Sequence, residues 1–202
     1  MPNWCNNHLK VIGPKREILR FVNESKGKSP WSHDGEDENI LNFYSHIPFP
    51  EGLVKGIFDD ETYNRVGYKW EHSNFGCKWG ACQADICSQS DNEVMYGFDT
   101  AWSPPDEWLE FVSGIYPKLT FELTYYEPGE GYRGLTRIKD GEVLEEEDFT
   151  GDEYYIWTCM NDKEEWEYMK ENMEEEEVKK YERSAKRREA KIHGGHRVRS
   201  CA

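Results

Sequence analysis

The alternation of Leu119, Phe121, Leu123 and Tyr125 with Thr120, Glu122 and Thr124 constrains the fold more than any other stretch of this chain. Successive side chains of a strand point to opposite faces, so the segment must lie in a sheet with one dry and one wet side. The same two-residue period recurs in His8, Leu9, Lys10 and Val11 and in Val94, Tyr96 and Phe98. Strands with a single apolar side form an antiparallel sheet whose apolar face is covered by helices. Gly13-Pro14 opens one such helix, carrying Ile18, Phe21 and Val22, with Gly27 as its stop. Ser103 can cap a second that begins at Pro104-Pro105, has Asp106 and Glu107 in its first turn, and uses Trp108, Phe111 and Val112 as its apolar face; Gly114 and Pro117 end it. A strand from Tyr132 to Ile138 and a tight turn at Asp140-Gly141 predict a returning hairpin partner.

The fold class expected is therefore α+β, an antiparallel sheet with two helices on one face and a long insertion at about residues 28–75. That insertion holds the charged stretch His33 to Glu38, an extended segment from Phe43 to Pro50, and a short helix bearing Tyr63, Val66 and Trp70. At 202 residues, 37% hydrophobic and with a mean hydropathy of -0.93, the chain suits one domain with an appendage rather than two full cores. A boundary near residue 152 separates the domain, 1–152, from an extension, 153–202.

Charge narrows the partners. A net charge of -15 opposes long-range attraction to nucleic acid or anionic lipid and favours a basic partner. The N-terminus lacks a basic stretch followed by an apolar run, and no segment approaches the roughly 20 apolar residues of a membrane span, so a soluble, cytoplasmic protein is expected. The charge is unevenly placed. Residues 179–202 hold nine Lys/Arg and two Asp/Glu, or +7, while the preceding 178 residues hold 16 and 38, or -22. Between Asn161 and Gly194 there is neither Pro nor Gly, which predicts one long charged helix with Trp166, Met169 and Met173 on a shared face. Glu175–Lys179, Glu176–Lys180 and Glu182–Lys186 are favourable i,i+4 pairs on it. Its basic end, with Lys186, Arg187, Arg188, Arg197 and Arg199, reads either as a solvated helix or as an arm for phosphate or an acidic surface.

Chemistry is sparse. Cys77, Cys82 and Cys87 recur every five residues, but zinc sites pair their ligands two to four residues apart and need four donors, so neither metal nor cofactor is expected. Cys5, Cys159 and Cys201 are too scattered for a disulfide framework. There is no GxSxG, P-loop, HExxH or CxxC motif. Pro2, if Met1 is removed, would be an N-terminal secondary amine able in principle to act as base or nucleophile.

Three aromatic segments remain that no core pattern requires: Pro2-Asn3-Trp4-Cys5-Asn6-Asn7, Asn74-Phe75-Gly76-Cys77-Lys78-Trp79-Gly80, and Thr100-Ala101-Trp102-Ser103-Pro104-Pro105. Together with Tyr126-Glu127-Pro128-Gly129, the chain over roughly residues 1–150 resembles the YubB-type ferredoxin-like domain family of bacteriophages, plasmids and other mobile elements. It departs from the family pattern with Phe75 in place of a tryptophan and Cys77 in place of a small hydroxyl residue. The resemblance implies a ferredoxin-like fold without an iron-sulfur cluster, and no catalytic residues to transfer. Trp4, Trp79 and Trp102 could gather at one end of the sheet, with Asn3, Asn6 and Lys78 supplying hydrogen bonds around an aromatic floor. Closure of the core by tryptophans at strand ends is the competing structural role. Two function classes follow. The first is a noncatalytic binding protein of a phage or mobile element acting on a host or phage protein, with proteins that handle nucleic acid among the candidate targets. The alternative is an enzyme of unknown reaction with its pocket near the three tryptophans.

Overall fold

The structure, a computed structural model, describes residues 2–30, 38–54, 60–149, 163–179 and 181–183. The elements are β1 (Trp4–Ile12), α1 (Lys15–Glu24), a 3-10 turn (Phe43–Ser45), α2 (Glu51–Val54), α3 (Asp60–Thr62), a π-helical turn (Tyr63–Gly67), α4 (Tyr68–Phe75), β2 (Lys78–Gln89), β3 (Glu93–Ala101), α5 (Asp106–Ile115), β4 (Thr120–Glu127), β5 (Tyr132–Lys139), β6 (Glu142–Phe149) and α6 (Lys163–Glu171). The six strands form one sheet in the order β2-β3-β1-β4-β5-β6. β1 lies at its centre, antiparallel to both β3 and β4, with Leu9 opposite Tyr96 on one side and Leu123 on the other.

Alternation places Leu9, Val11, Val94, Tyr96, Phe98, Phe121, Leu123 and Ile138 on one face, all buried. Ile18, Phe21 and Val22 of α1 and Trp108, Leu109 and Val112 of α5 belong to the same core, so both helices cover that face, and the fold is α+β as the one-sided strands require. Phe21 is central to the core, meeting Tyr96, Tyr116 and Phe121 edge-on at centroid distances of 6.0, 5.3 and 5.5 Å. Asp140 and Gly141 have φ of 54° and 73°, the left-handed pair that a two-residue hairpin turn with the right twist demands.

Several expectations are corrected. Phe111 is 49% exposed, and Leu109, a neighbour of Trp108 on the inward stripe, takes its place. α1 stops at Ser25, whose hydroxyl donates back to the Phe21 carbonyl at 2.7 Å; Gly27 instead exchanges backbone hydrogen bonds with Asn39. Ser103 does not cap α5, whose first-turn N–H groups receive no side-chain cap; its hydroxyl donates to the Gly76 carbonyl at 2.5 Å and ties the end of β3 to the end of α4. Phe43 to Pro50 does not run extended. Asn42 accepts the Tyr44 N–H through its side chain and starts the 3-10 turn, which drives Phe43 flat against Trp108 at 4.1 Å. The insertion thus completes the core with Leu41, Phe43, Tyr44, Phe49 and Phe75.

The chain divides into two compact units, 1–148 and 149–202. In the second, Trp166 of α6 is nearly buried, with the Lys170 ammonium 5.9 Å from its ring. The single long helix is corrected to an interrupted one: helix ends at Glu171, residues 172–174 turn, and 175–179 are helical again. Asn172 donates its amide to the Tyr168 carbonyl at 2.8 Å, a local bond that competes with the helical ladder. Lys179 pairs with Glu175 at 2.6 Å, as its spacing predicts. Lys180 and the basic residues Lys186, Arg187, Arg188, Arg197 and Arg199 lie outside the described residues. Among the described residues no helix is long and apolar enough to cross a membrane.

Candidate functional site

Three chain segments converge at one corner of the sheet. α4 ends in Gly76, left-handed at φ 79°, whose N–H returns to the His72 carbonyl; a side chain here would meet both the strained backbone and Glu107. The chain then enters β2 through Lys78 and Trp79, while β3 runs out of Ala101 into Trp102, and Ala101 is the register partner of both Trp4 and Lys78. Trp79 and Trp102 have φ of 69° and 70°, a region that costs a bulky residue about 1–3 kcal/mol and persists only where surrounding contacts hold it. For Trp102 those contacts are its N–H to the Asn3 carbonyl at 2.9 Å and its carbonyl, which accepts the Tyr132 hydroxyl.

The rings gather as the sequence suggests. Trp79 lies 6.2 Å from Trp4 and 6.3 Å from Trp102, and Tyr68 meets Trp102 edge-on at 6.0 Å. The Lys78 ammonium stands among them, 4.5 Å from the Trp79 ring, 5.0 Å from Tyr63, 5.7 Å from Trp102 and 5.8 Å from Tyr68. Each such contact is worth roughly 0.5–1 kcal/mol at a wet site and more when desolvated. Trp102 is 44% exposed, whereas Trp4 and Trp79 are half-buried. Asn3 contributes its backbone to Trp102. Asn6 shares the Trp4 face of β1 but gives its amide to Asp99 at 2.7 Å rather than to the aromatic floor.

Sequence reasoning missed Tyr63, Tyr68, Tyr132 and Glu71. Tyr63 and Tyr68 are five residues apart, which an α-helix turns to different sides and a π turn brings nearly into line. Glu71 is fully buried and accepts from the Tyr44 and Tyr63 hydroxyls and, at 3.1 Å, from the Trp79 N–H. Burial and the bond to Glu71 hold the Tyr63 phenol well above its usual range, so it stays a donor. One carboxylate thereby joins the insertion, α4 and the start of β2.

The corner offers little for covalent chemistry. Burial pushes the Cys5 thiol up to about 12 and the Cys82 thiol up to about 11, and holds Cys77 well above its ordinary value. Thiols so placed are poor nucleophiles near neutral pH. Asp106, although it reaches solvent, is held above the usual carboxylate range by loss of hydration and then by Glu107, Glu146 and Asp148. Cys77, Cys82 and Cys87 range from buried to exposed, and no three His, Cys, Asp or Glu among the described residues are placed to hold a metal ion.

Residues 81–183, just over half of the chain, match the family profile of the ferredoxin-like domain in Api92-like protein. The chain belongs to that family. The matched span begins inside β2 and reaches past β6, so it differs from the 1–150 over which the motifs resemble YubB-type domains and omits the Pro2–Asn7 segment. The chain is similar to the uncharacterized protein YubB of Escherichia coli (strain K12), 29% identical over 99 residues, which are 48% of this chain and 63% of that one. It spans less than two thirds of that relative's length. The crystal structure of protein api92 from Yersinia pseudotuberculosis superposes with a TM-score of 0.56 at 11% identity, over 74% of this chain and 98% of the other, a likeness of fold.

Proposed function

We propose that this chain is a noncatalytic binding protein of a phage or other mobile element, acting in the host cytoplasm on a basic host or phage protein, one that handles nucleic acid. The observation that carries this reading is Trp102: 44% exposed, in a left-handed conformation, and fixed by backbone bonds to Asn3 and Tyr132. A large ring on a backbone fixed in this way and nearly half in water loses little entropy on docking and still has a substantial apolar area to bury, which is the character of an interface anchor. A net charge of -15 favours a partner of opposite sign and speeds its approach. The YubB-type motifs support the mobile-element setting. The basic residues Lys186, Arg187 and Arg188 would serve as a secondary contact to an acidic patch on that partner or to the phosphates of nucleic acid it carries.

The test is affinity capture from host and infected-cell extract, followed by titration of the identified partner against purified variants. Trp102→Ala is expected to weaken binding by about 2 kcal/mol, roughly thirtyfold, while the circular dichroism spectrum is retained. Replacing Lys186, Arg187 and Arg188 with Ala should have a smaller effect that added salt erases. A folded Trp102→Ala chain with parental affinity would move the interface elsewhere.

A further inference from the structure

The face of the sheet opposite the helices carries a second arrangement, further along β1 and β3 than the aromatic corner. Tyr96 and Phe98 point into the core, so Gly97 between them faces outward, where its register partners are His8 on β1 and Asp85 on β2. Its missing side chain leaves a hollow, and two groups use it. A β-carbon on Gly97 would come within 3.0 Å of the Cys87 sulfur and within 3.8 and 3.9 Å of Cδ2 and Nε2 of His8. The thiol and the imidazole therefore lie over the same glycine, brought together from strands on either side of β3. A register shift between Ile86 and Ser88 marks the position of Cys87 in β2. Irregularities of this kind re-aim a side chain that regular alternation would place otherwise.

Exposure separates this cysteine from its neighbours. Among the described cysteines Cys5 and Cys77 are buried and Cys82 is half-buried, whereas Cys87 and His8 are both open to solvent. An accessible thiol and an imidazole that share one patch of open sheet are the pairing that thiol–disulfide exchange uses, with the acceptor and nucleophile commonly looser before reaction than during it. The geometry points to Cys87 as a modification site that exchanges with low-molecular-weight disulfides of the glutathione class, with His8 as its base. His8 takes the proton from the Cys87 sulfur as that sulfur attacks one sulfur of the disulfide. The incoming S–S bond forms as the original one breaks, and the departing half leaves as a thiolate that recovers the proton from His8. The Cys87 sulfur is oxidised, the leaving thiol is reduced, and no other reagent enters. The product, a bulky polar group above Gly97, marks the open sheet face.

The experiment uses the full chain with Cys159 and Cys201 replaced by Ser and oxidised glutathione as the probe, followed by intact mass and peptide mapping. One adduct per chain is expected, on Cys87, before any appears on Cys82. His8→Ala should slow its formation about tenfold, and free imidazole in the buffer should restore part of the rate. Gly97→Ala, which pushes the thiol aside, should slow it as well. First modification at another cysteine would overturn the assignment of the site. An unchanged rate in a His8→Ala chain that keeps its circular dichroism spectrum would overturn the role of His8; if that variant unfolds, His8→Gln serves the same comparison.

Discussion

Two aromatic clusters sit side by side in this molecule and differ in almost every physical respect. Around Phe21, Phe43 and Trp108 the rings are fully buried. Around Lys78 the rings of Tyr63, Tyr68, Trp79 and Trp102 are at least partly wet, surround a cation, and include two residues in the left-handed region. The first cluster has used its apolar area to make the fold. The second keeps part of its area unburied and accepts backbone strain, a combination that packing alone does not reward and that a binding surface does. Aromatic content by itself separates neither.

The contrast can be broken most forcefully from the buried side. Trp108→Ala removes a fully buried ring stacked on Phe43 and is expected to cost about 3–5 kcal/mol in urea unfolding, whereas Trp102→Ala should stay within about 1 kcal/mol of the parent. Equal losses would mean that Trp102 is core closure after all. Next in size is Glu71→Ala, because this carboxylate joins Tyr44 of the first cluster to Tyr63 and Trp79 of the second. We expect a stability loss of about 2 kcal/mol with a changed tryptophan fluorescence, and an unaltered spectrum would show that the corner stands without it.

The smallest effect is a pH dependence. His46 lies between Phe21 and Trp108, and burial pushes its pKa down to about 4 from 6.5. Because the unfolded chain protonates first, the contribution of the neutral ring is whole above about pH 6.5 and is lost as pH falls towards 4, by at most about 1.4 kcal/mol per pH unit. Urea midpoints at pH 7 and pH 5 should converge in His46→Phe relative to the parent. Glu24, whose pKa is lowered by the Tyr116 hydroxyl bond and by Arg20, loses its contribution only below its ordinary value of 4.5, outside most of that window.

Much of the frame was legible because strands that bury one face must alternate. β1, β3 and β4 follow directly from Leu9, Tyr96 and Leu123, and the three tryptophans that interrupt the pattern do come together. The insertion was opaque for the opposite reason. Phe43 and Phe75 reach the core from a 3-10 turn and from the last residue of a helix, where no period repeats long enough to be read. Glu71 is a charged residue among polar neighbours and reads as solvated. Its burial follows from two tyrosines and a backbone N–H that are distant in pattern though near in space. Leu109 displaced Phe111 because a stripe one residue wide at either edge is decided by the opposite wall of the core, which a single helix does not contain.

β2 and β6 are the outermost strands of the described sheet, and an outermost strand is where another chain can add. β2 pairs with β3 through three register shifts and takes left-handed conformations at Trp79, Gly80 and Gln83, so its outer edge offers no straight run for an incoming chain. β6 instead carries Glu142, Glu145, Glu146, Glu147 and Asp148, a concentration of like charge that opposes pairing with a second copy of itself. One border is guarded by shape and the other by repulsion. Polymerisation through the sheet is thus opposed at both ends by different means, and a solution that screens charge releases only the β6 side.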